Sequence, residues 1–188
     1  YAATFTDQTG VAGVLALQEL YLVANLSEEE KTAGFVTTPF TIQQLTEVIQ
    51  KEELFIAKDT NHIIAYIFAG SWDFFHQWPI FNHMISLLPE LIFLDSDFTT
   101  KNSFQYGPIC IHQDYRGKGL ITPFFEFMRI NMKSKYPLSL TFINKINIPS
   151  TKAHTEKLKW TIIKEFQFNN NEYLILAYDM NQSVTQTI

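Results

Sequence analysis

The sequence predicts one α/β (α+β) domain, a mixed β-sheet with helices packed on its faces. Three observations carry this. The apolar residues change from a helical period to strand-like alternation at Leu54. A strand–helix–strand pattern from Phe104 to Ile143 demands a right-handed parallel crossover. Hairpin patterns flank it on both sides, and hairpins are antiparallel. The 188 residues suit a single domain with a sizeable buried core. Residues 1–180 read as that domain and 181–188 as a polar tail.

Taken in order, Asp7 is a good N-cap for a first helix, which Val11, Val14, Leu15 and Leu22 give an apolar face. Ser27 with Glu30, and Thr41 with Gln44, form capping-box patterns for two more helices. After Thr41, Ile42, Leu45 and Ile49 recur on one face. Strands follow at Leu54–Lys58 and His62–Ala69 around the turn residues Asp59-Thr60-Asn61. Gly70–Ser103 is a long insert, in which Pro79 opens a helix with Phe81, Met84, Ile85 and Leu88 on one face. Phe104–Ile111 is a strand, Leu120–Lys135 a helix stopped before Pro137, and Leu138–Ile143 a strand. A short helix spans about Pro149–Leu158. Strands Thr161–Phe168 and Tyr173–Tyr178 close a hairpin at Asn169-Asn170-Asn171.

Composition excludes several classes. With 14 Lys and Arg against 19 Asp and Glu, the chain lacks the broad basic footprint of a nucleic-acid binder. No apolar run approaches the roughly 20 residues of a membrane span. The N-terminus, which begins with Tyr1, lacks a signal-peptide layout. A single cysteine, Cys110, cannot form an internal disulfide, which fits a reducing compartment. A cytoplasmic protein without a membrane or nucleic-acid partner is expected. The 17 phenylalanines predict an aromatic core or pocket.

The chemistry concentrates between Ile109 and Ile121. A strand ends, Arg116-Gly117-Lys118-Gly119-Leu120 follows, and a helix begins. Glycines permit positive φ and close approach of backbone to ligand. A helix start offers unpaired N–H groups and partial positive charge, which together make an anion site. Arg116 and Lys118 add mobile positive charge. The turn is neither a Walker loop nor a dinucleotide fingerprint, since the spacing of the first and the third glycine of the second are missing. A solvated surface turn is the bland alternative.

Tyr115-Arg116-Gly117-Lys118-Gly119-Leu120 resembles the acetyl-CoA signature of the GNAT acetyltransferases, Arg/Gln-x-x-Gly-x-Gly/Ala, with Arg116 and Gly119 matching and Ile121 at a position that is usually small. The stretch Asn147–Trp160 resembles that family's later Asn-x-x-Ser…Ala-His…Lys-Leu-Gly-Phe segment, with Lys159-Trp160 in place of Gly-Phe. The resemblance covers about residues 1–180. It implies acetyl-CoA as cofactor, bound where the strands Phe104–Ile111 and Leu138–Ile143 splay apart. The pantetheine arm would then pair with backbone at Ile109, Cys110 and Ile111, and the pyrophosphate would rest on Arg116 through Ile121. It implies N-acetyl transfer to a primary amine, on a small molecule or a peptide, by direct attack in a ternary complex. No metal is expected.

The acid and base are harder to place. The family often uses a late-helix tyrosine, and here that position falls on Thr155 or near His154. His154 and Tyr106 are the catalytic candidates, with His112 a further relay candidate. Each also has a bland reading, as a packed helix residue, a core aromatic and a solvated loop residue. Asn147 is expected to cap the late helix and contact CoA, or only to cap it. An acyl-Cys110 is disfavoured, because an apolar strand cysteine is usually core. The run from Trp72 to Trp78 either packs its helix on the sheet or walls an acceptor pocket; Trp72 and Phe75 are the acceptor-binding candidates. The alternatives are a degenerate CoA-binding module and an interaction domain without cofactor. Oligomeric state stays open, a homodimer included.

Overall fold

The structure is a computed structural model describing residues 2–5, 10–32 and 34–185. The expected cap Asp7 and residues 186–188 of the expected tail lie outside those residues. The chain divides into two interleaved compact units, Tyr1–Ala69 with Gly107–Met128 and Gly70–Tyr106 with Arg129–Ile188.

In the first unit, α1 (Val11–Tyr21) buries Val14, Leu17, Gln18 and Tyr21. Their helical spacing leaves one polar side chain inside, and Gln18 is satisfied there by both backbone groups of Phe40, at 3.2 and 2.9 Å. Both expected capping boxes form, at Ser27 for α2 (Glu28–Lys31) and at Thr41 for α3 (Ile42–Gln50). The buried face of α3 is Leu45, Val48 and Ile49, whereas Ile42, expected on that face, is 64% exposed in the first turn. The hairpin of β2 (Leu54–Asp59) and β3 (His62–Gly70) turns at Thr60, which has a φ of 55°. A strand absent from the sequence reading, β1 (Ala2–Phe5), pairs antiparallel with β2. Four residues are too few for alternation to register. The strand order here is β1-β2-β3-β6, where β6 (Ser103–Ile111) runs on into the second unit.

In the second unit the long insert is ordered. It holds α4 (Trp72–Phe75), α5 (Pro79–Leu87) and a small hairpin of β4 (Ile92–Phe93) and β5 (Ser96–Asp97). Pro79 opens α5, and Phe81 and Met84 are its buried face. The strand order is β6-β7-β9-β8, from β7 (Leu138–Asn144), β8 (Thr161–Phe168) and β9 (Asn171–Asp179). β6 and β7 are parallel; β7–β9 and β9–β8 are antiparallel, so the mixed sheet of the expected α/β fold is present. The β8–β9 turn uses Asn169 and Asn170 at φ 47° and 61°, left-handed conformations that asparagine tolerates well. The parallel ladder joins Ser103–Gln105 to 138–140, and among the described residues it goes no further, although both strands continue.

The crossover helix α6 (Ile121–Met132) buries Phe124, Phe125, Met128 and Met132. It ends before Lys135, where the sequence placed its stop. The N–H groups of Lys135 and Tyr136 turn back onto the Met132 carbonyl at 2.9 and 3.0 Å and close the helix early.

Candidate functional site

The glycine turn is built from the end of β6 outward. One tight turn, Gln113–Tyr115, leads to Gly117 at φ +70° and Gly119 at φ +80°. A Cβ built on either glycine meets nothing within 4 Å. The glycines are therefore required by backbone conformation rather than by crowding, and the backbone lies open on that side. Leu120 is buried and fixes the far end, where Phe124 N–H already bonds its carbonyl at 3.2 Å.

Side chains brace this turn. The Tyr21 hydroxyl accepts from Gln113 N–H at 2.7 Å. The guanidinium of Arg116 lies 4.4 Å over the Tyr21 ring, and its Nε donates to the Ile111 carbonyl at 2.7 Å. Arg116 was expected to be mobile charge; it is pinned, because both its face and its Nε are engaged. Lys118 is exposed, with Nζ 6.0 Å from the Tyr115 ring. Tyr115 donates to Asp59 Oδ2 at 2.6 Å. His112 Nδ1 accepts from Asp114 N–H at 3.2 Å. Ile109 and Ile111 are half-buried, and Cys110 is 3% exposed. Burial pushes the Cys110 thiol up to about 12, against a smaller lowering by Arg116, so it is protonated at neutral pH. Tyr66 is wholly buried beside that thiol, and burial, with a smaller contribution from Cys110, raises its phenol well above the ordinary range.

In the second unit the structure brings two catalytic candidates together. Tyr106, the residue just past the last position of β6 paired with β7, lies 3.1 Å through its hydroxyl from His154 Nε2. His154 Nδ1 is 2.7 Å from the Ser150 carbonyl. A carbonyl only accepts, so Nδ1 carries the proton and Nε2 accepts from Tyr106. Burial brings the imidazole down to about 4, against a smaller raising by Ser150, and drives the Tyr106 phenol far upward. Both are neutral at pH 7. His154 sits in a π-helical turn, Ala153–Lys157, that continues α7 (Ile148–Lys152). Such turns recur at functional sites. Trp160 packs against the pair, its ring tilted 41° to that of Tyr106 at 4.9 Å and edge-on to His154 at 6.0 Å.

The remaining candidates are placed differently. Asn147 stands at the N-cap of α7, but its side chain makes no capping bond, contrary to expectation; φ −84° and ψ 67° lie off the usual cap geometry, and its backbone carbonyl takes Thr151 N–H at 3.1 Å instead. Trp72 and Phe75 are buried at 1% and 0% exposure. Trp72 Nε1 donates to Ser103 Oγ at 3.0 Å, and Phe75 packs among Phe74, Trp78 and Phe81. Both anchor the insert from inside.

No protein-family model matches the chain, and no curated protein matches it. Solved structures do. An N-acetyltransferase from Staphylococcus aureus aligns over 95% of this chain and 98% of its own, at TM-score 0.63 and 16% identity. The yncA protein of Salmonella typhimurium, solved with its cofactor acetyl-CoA, aligns over 96% and 94%, at TM-score 0.62 and 10% identity. An aminoglycoside 6'-acetyltransferase type Ii aligns over 96% and 97%, at TM-score 0.63 and 11% identity. The chain has the GNAT acetyltransferase fold.

The GNAT likeness clarifies one departure. Lys159 stands where the GNAT segment carries glycine, and it has φ +62°, the left-handed conformation that glycine favours. The residue differs while the backbone keeps the glycine-like turn that seats buried Trp160. Sequence reasoning missed Tyr21, Asp59 and Ser150. Tyr21 is 92 positions from its partner Gln113, so no local pattern could reveal it. Ser150 was quoted as a motif residue, but its contribution is a backbone carbonyl, which sequence does not display.

Proposed function

We propose that this protein is an N-acetyltransferase that moves an acetyl group from acetyl-CoA to a primary amine by direct attack in a ternary complex. The observation that carries the reading is the open, positive-φ glycine turn at Gly117 and Gly119, set between β6 and α6 in a GNAT fold. The residues fit a pyrophosphate: the backbone is uncovered, a helix begins beside it, and Lys118 is exposed. Backbone N–H groups from Gly117 to Ile121 would hold the phosphates beside Arg116, whose own N–H is taken by the Gln113 carbonyl, and backbone at Ile109, Cys110 and Ile111 would hold the pantetheine. Bound acetyl-CoA supplies the activated acetyl group.

The amine loses a proton and the leaving thiolate gains one. We assign that proton traffic to Tyr106 and His154. Tyr106 holds a proton at neutral pH, and the His154 tautomer set by Ser150 keeps its hydroxyl oriented. For the step to balance, the Tyr106 oxygen takes the amine's proton as its own proton turns from His154 Nε2 to the thiolate, so the amine loses one proton, the thiolate gains one and Tyr106 ends neutral. Asn147 is assigned to the cofactor side of the late helix. Trp72 and Phe75 act on the acceptor side by holding α4 and α5 in shape. Residues 1–180 act as one catalytic domain with a polar tail. No helix among the described residues is long and apolar enough to cross a membrane, and the cytoplasm, where acetyl-CoA is made available, is the proposed location. Among the structural neighbours are enzymes that acetylate ribosomal-protein alanine and an aminoglycoside. Their chemistry supports an amine acceptor, small or peptidic.

A second reading, a CoA-binding module without catalysis, is favoured by one observation: Tyr106 and His154 are only 0% and 2% exposed. One experiment separates the two. Free thiol release from acetyl-CoA is followed against a polyamine, an aminoglycoside and a peptide with a free N-terminus. Amine-dependent release supports the enzyme. Thermal stabilisation by CoA without release supports the module, and neither response sinks both.

A further inference from the structure

Tyr21 is the last residue of α1, far in sequence from the glycine turn, yet it meets that turn at two chemically different points. Its hydroxyl takes the Gln113 N–H at 2.7 Å, and its ring lies beneath Arg116, whose guanidinium carbon is 4.4 Å from the ring centroid. Arg116 in turn closes onto the Ile111 carbonyl at 2.7 Å, so the end of β6, the tight turn and the residue before Gly117 are tied through one side chain. The His112 ring also meets Tyr21 edge-on, at 6.3 Å between centroids. Tyr21 is itself only 8% exposed and cannot swing away without leaving the core.

The opposite end of the same turn is left open. Gly117 and Gly119 are in strained conformations for any other residue, and no atom lies where their Cβ would be. A backbone that must present N–H groups to a doubly charged pyrophosphate gains affinity when its conformation is fixed beforehand. Glycine-rich segments lose much conformational entropy on fixation, so an outside brace matters most there. The tyrosine adds no charge of its own at the turn. It orders a cation and a peptide unit that are already there.

We infer that Tyr21 is a positioning residue for the cofactor-phosphate turn: it sets affinity for CoA from α1 without touching the ligand. This rests on the CoA-binding reading above. The ring and the hydroxyl contribute separately. Tyr21→Phe keeps the platform under Arg116 and releases Gln113 N–H; Tyr21→Leu removes both. Expected CoA dissociation constants are raised about tenfold for Tyr21→Phe and further for Tyr21→Leu. Once an acceptor is found, the acetyl-CoA KM follows this order while kcat stays with the parent.

The test is CoA titration calorimetry on the three proteins, with amide hydrogen exchange at Gln113 as the local readout. A merely structural tyrosine would lower the melting temperature of the ligand-free variants and leave CoA affinity alone. Loss of Gln113 protection together with graded loss of CoA affinity supports the inference. Loss of Gln113 protection with CoA affinity within twofold of the parent overturns it. A parent protein that binds no CoA overturns the functional reading itself, and is seen before any variant is made.

Discussion

At the residue scale, the two glycines and the buried histidine are the most consequential positions. Gly119→Val should weaken acetyl-CoA binding more than Lys118→Ala, because a β-branched side chain resists φ +80° and would fill the open side of the turn. Lys118 offers only a solvent-screened charge. Equal acetyl-CoA affinities for the two folded variants would refute the ranking. His154 makes a pH prediction. Its folded value is about 4 against an ordinary 6.5, so the unfolded chain binds more protons between those values and stability falls as pH drops through that window. The loss begins near pH 6.5, is complete near pH 4 and amounts to about 3 kcal/mol, at about 1.36 kcal/mol per unit. Chemical denaturation across pH 4–7 should show that slope, and His154→Gln should flatten it whatever its effect at pH 7. A His154→Gln variant with the same slope would locate the effect elsewhere.

At the element scale, Lys159 pays for its turn with a left-handed backbone, and Lys159→Gly relieves that strain at the cost of a looser unfolded chain. A gain of about 0.5–1 kcal/mol is expected in urea melts; a loss would mean that the Lys159 stem contributes packing. The insert behaves oppositely. Trp72 is fully buried and satisfied by Ser103, so Trp72→Ala should cost about 3–5 kcal/mol through the cavity it leaves, with one hydrogen bond lost while Ser103 keeps its own to the Thr99 carbonyl. A folded Trp72→Ala protein of parental stability would contradict this placement. The sequence already weighed packing against pocket for this aromatic run, and nothing in residue type separates the two, since a pocket wall and a core draw on the same side chains. Burial decided it. The capping boxes at Ser27 and Thr41 needed no such arbitration, because all their hydrogen bonds are local.

At the scale of the whole molecule, the cofactor is the lever. At about a hundredfold excess over its dissociation constant, CoA should stabilise the native state by roughly 2.7 kcal/mol. For a chain of 188 residues that is a rise of roughly 5–10 °C in Tm. No shift with millimolar CoA would count against the phosphate turn as a cofactor site.

What the sequence by itself determined is what rests on short-range physics: helix starts from caps, strands from alternation, the Asn169-Asn170 turn, and a glycine turn between strand and helix. The parallel crossover was also legible, since chirality and chain length leave one sensible connection for strand–helix–strand. Tertiary structure alone decided what depends on contacts between distant segments. Tyr21 braces Gln113 from 92 positions away, Tyr106 donates to a histidine 48 positions later, and Trp72 reaches Ser103 across 31. None of these leaves a periodic trace, because a single side-chain contact constrains two positions and no spacing between them. Exposure is of the same kind: Ile42 looks like core by period and lies in solvent, since period names a helix face and only packing says which face is covered.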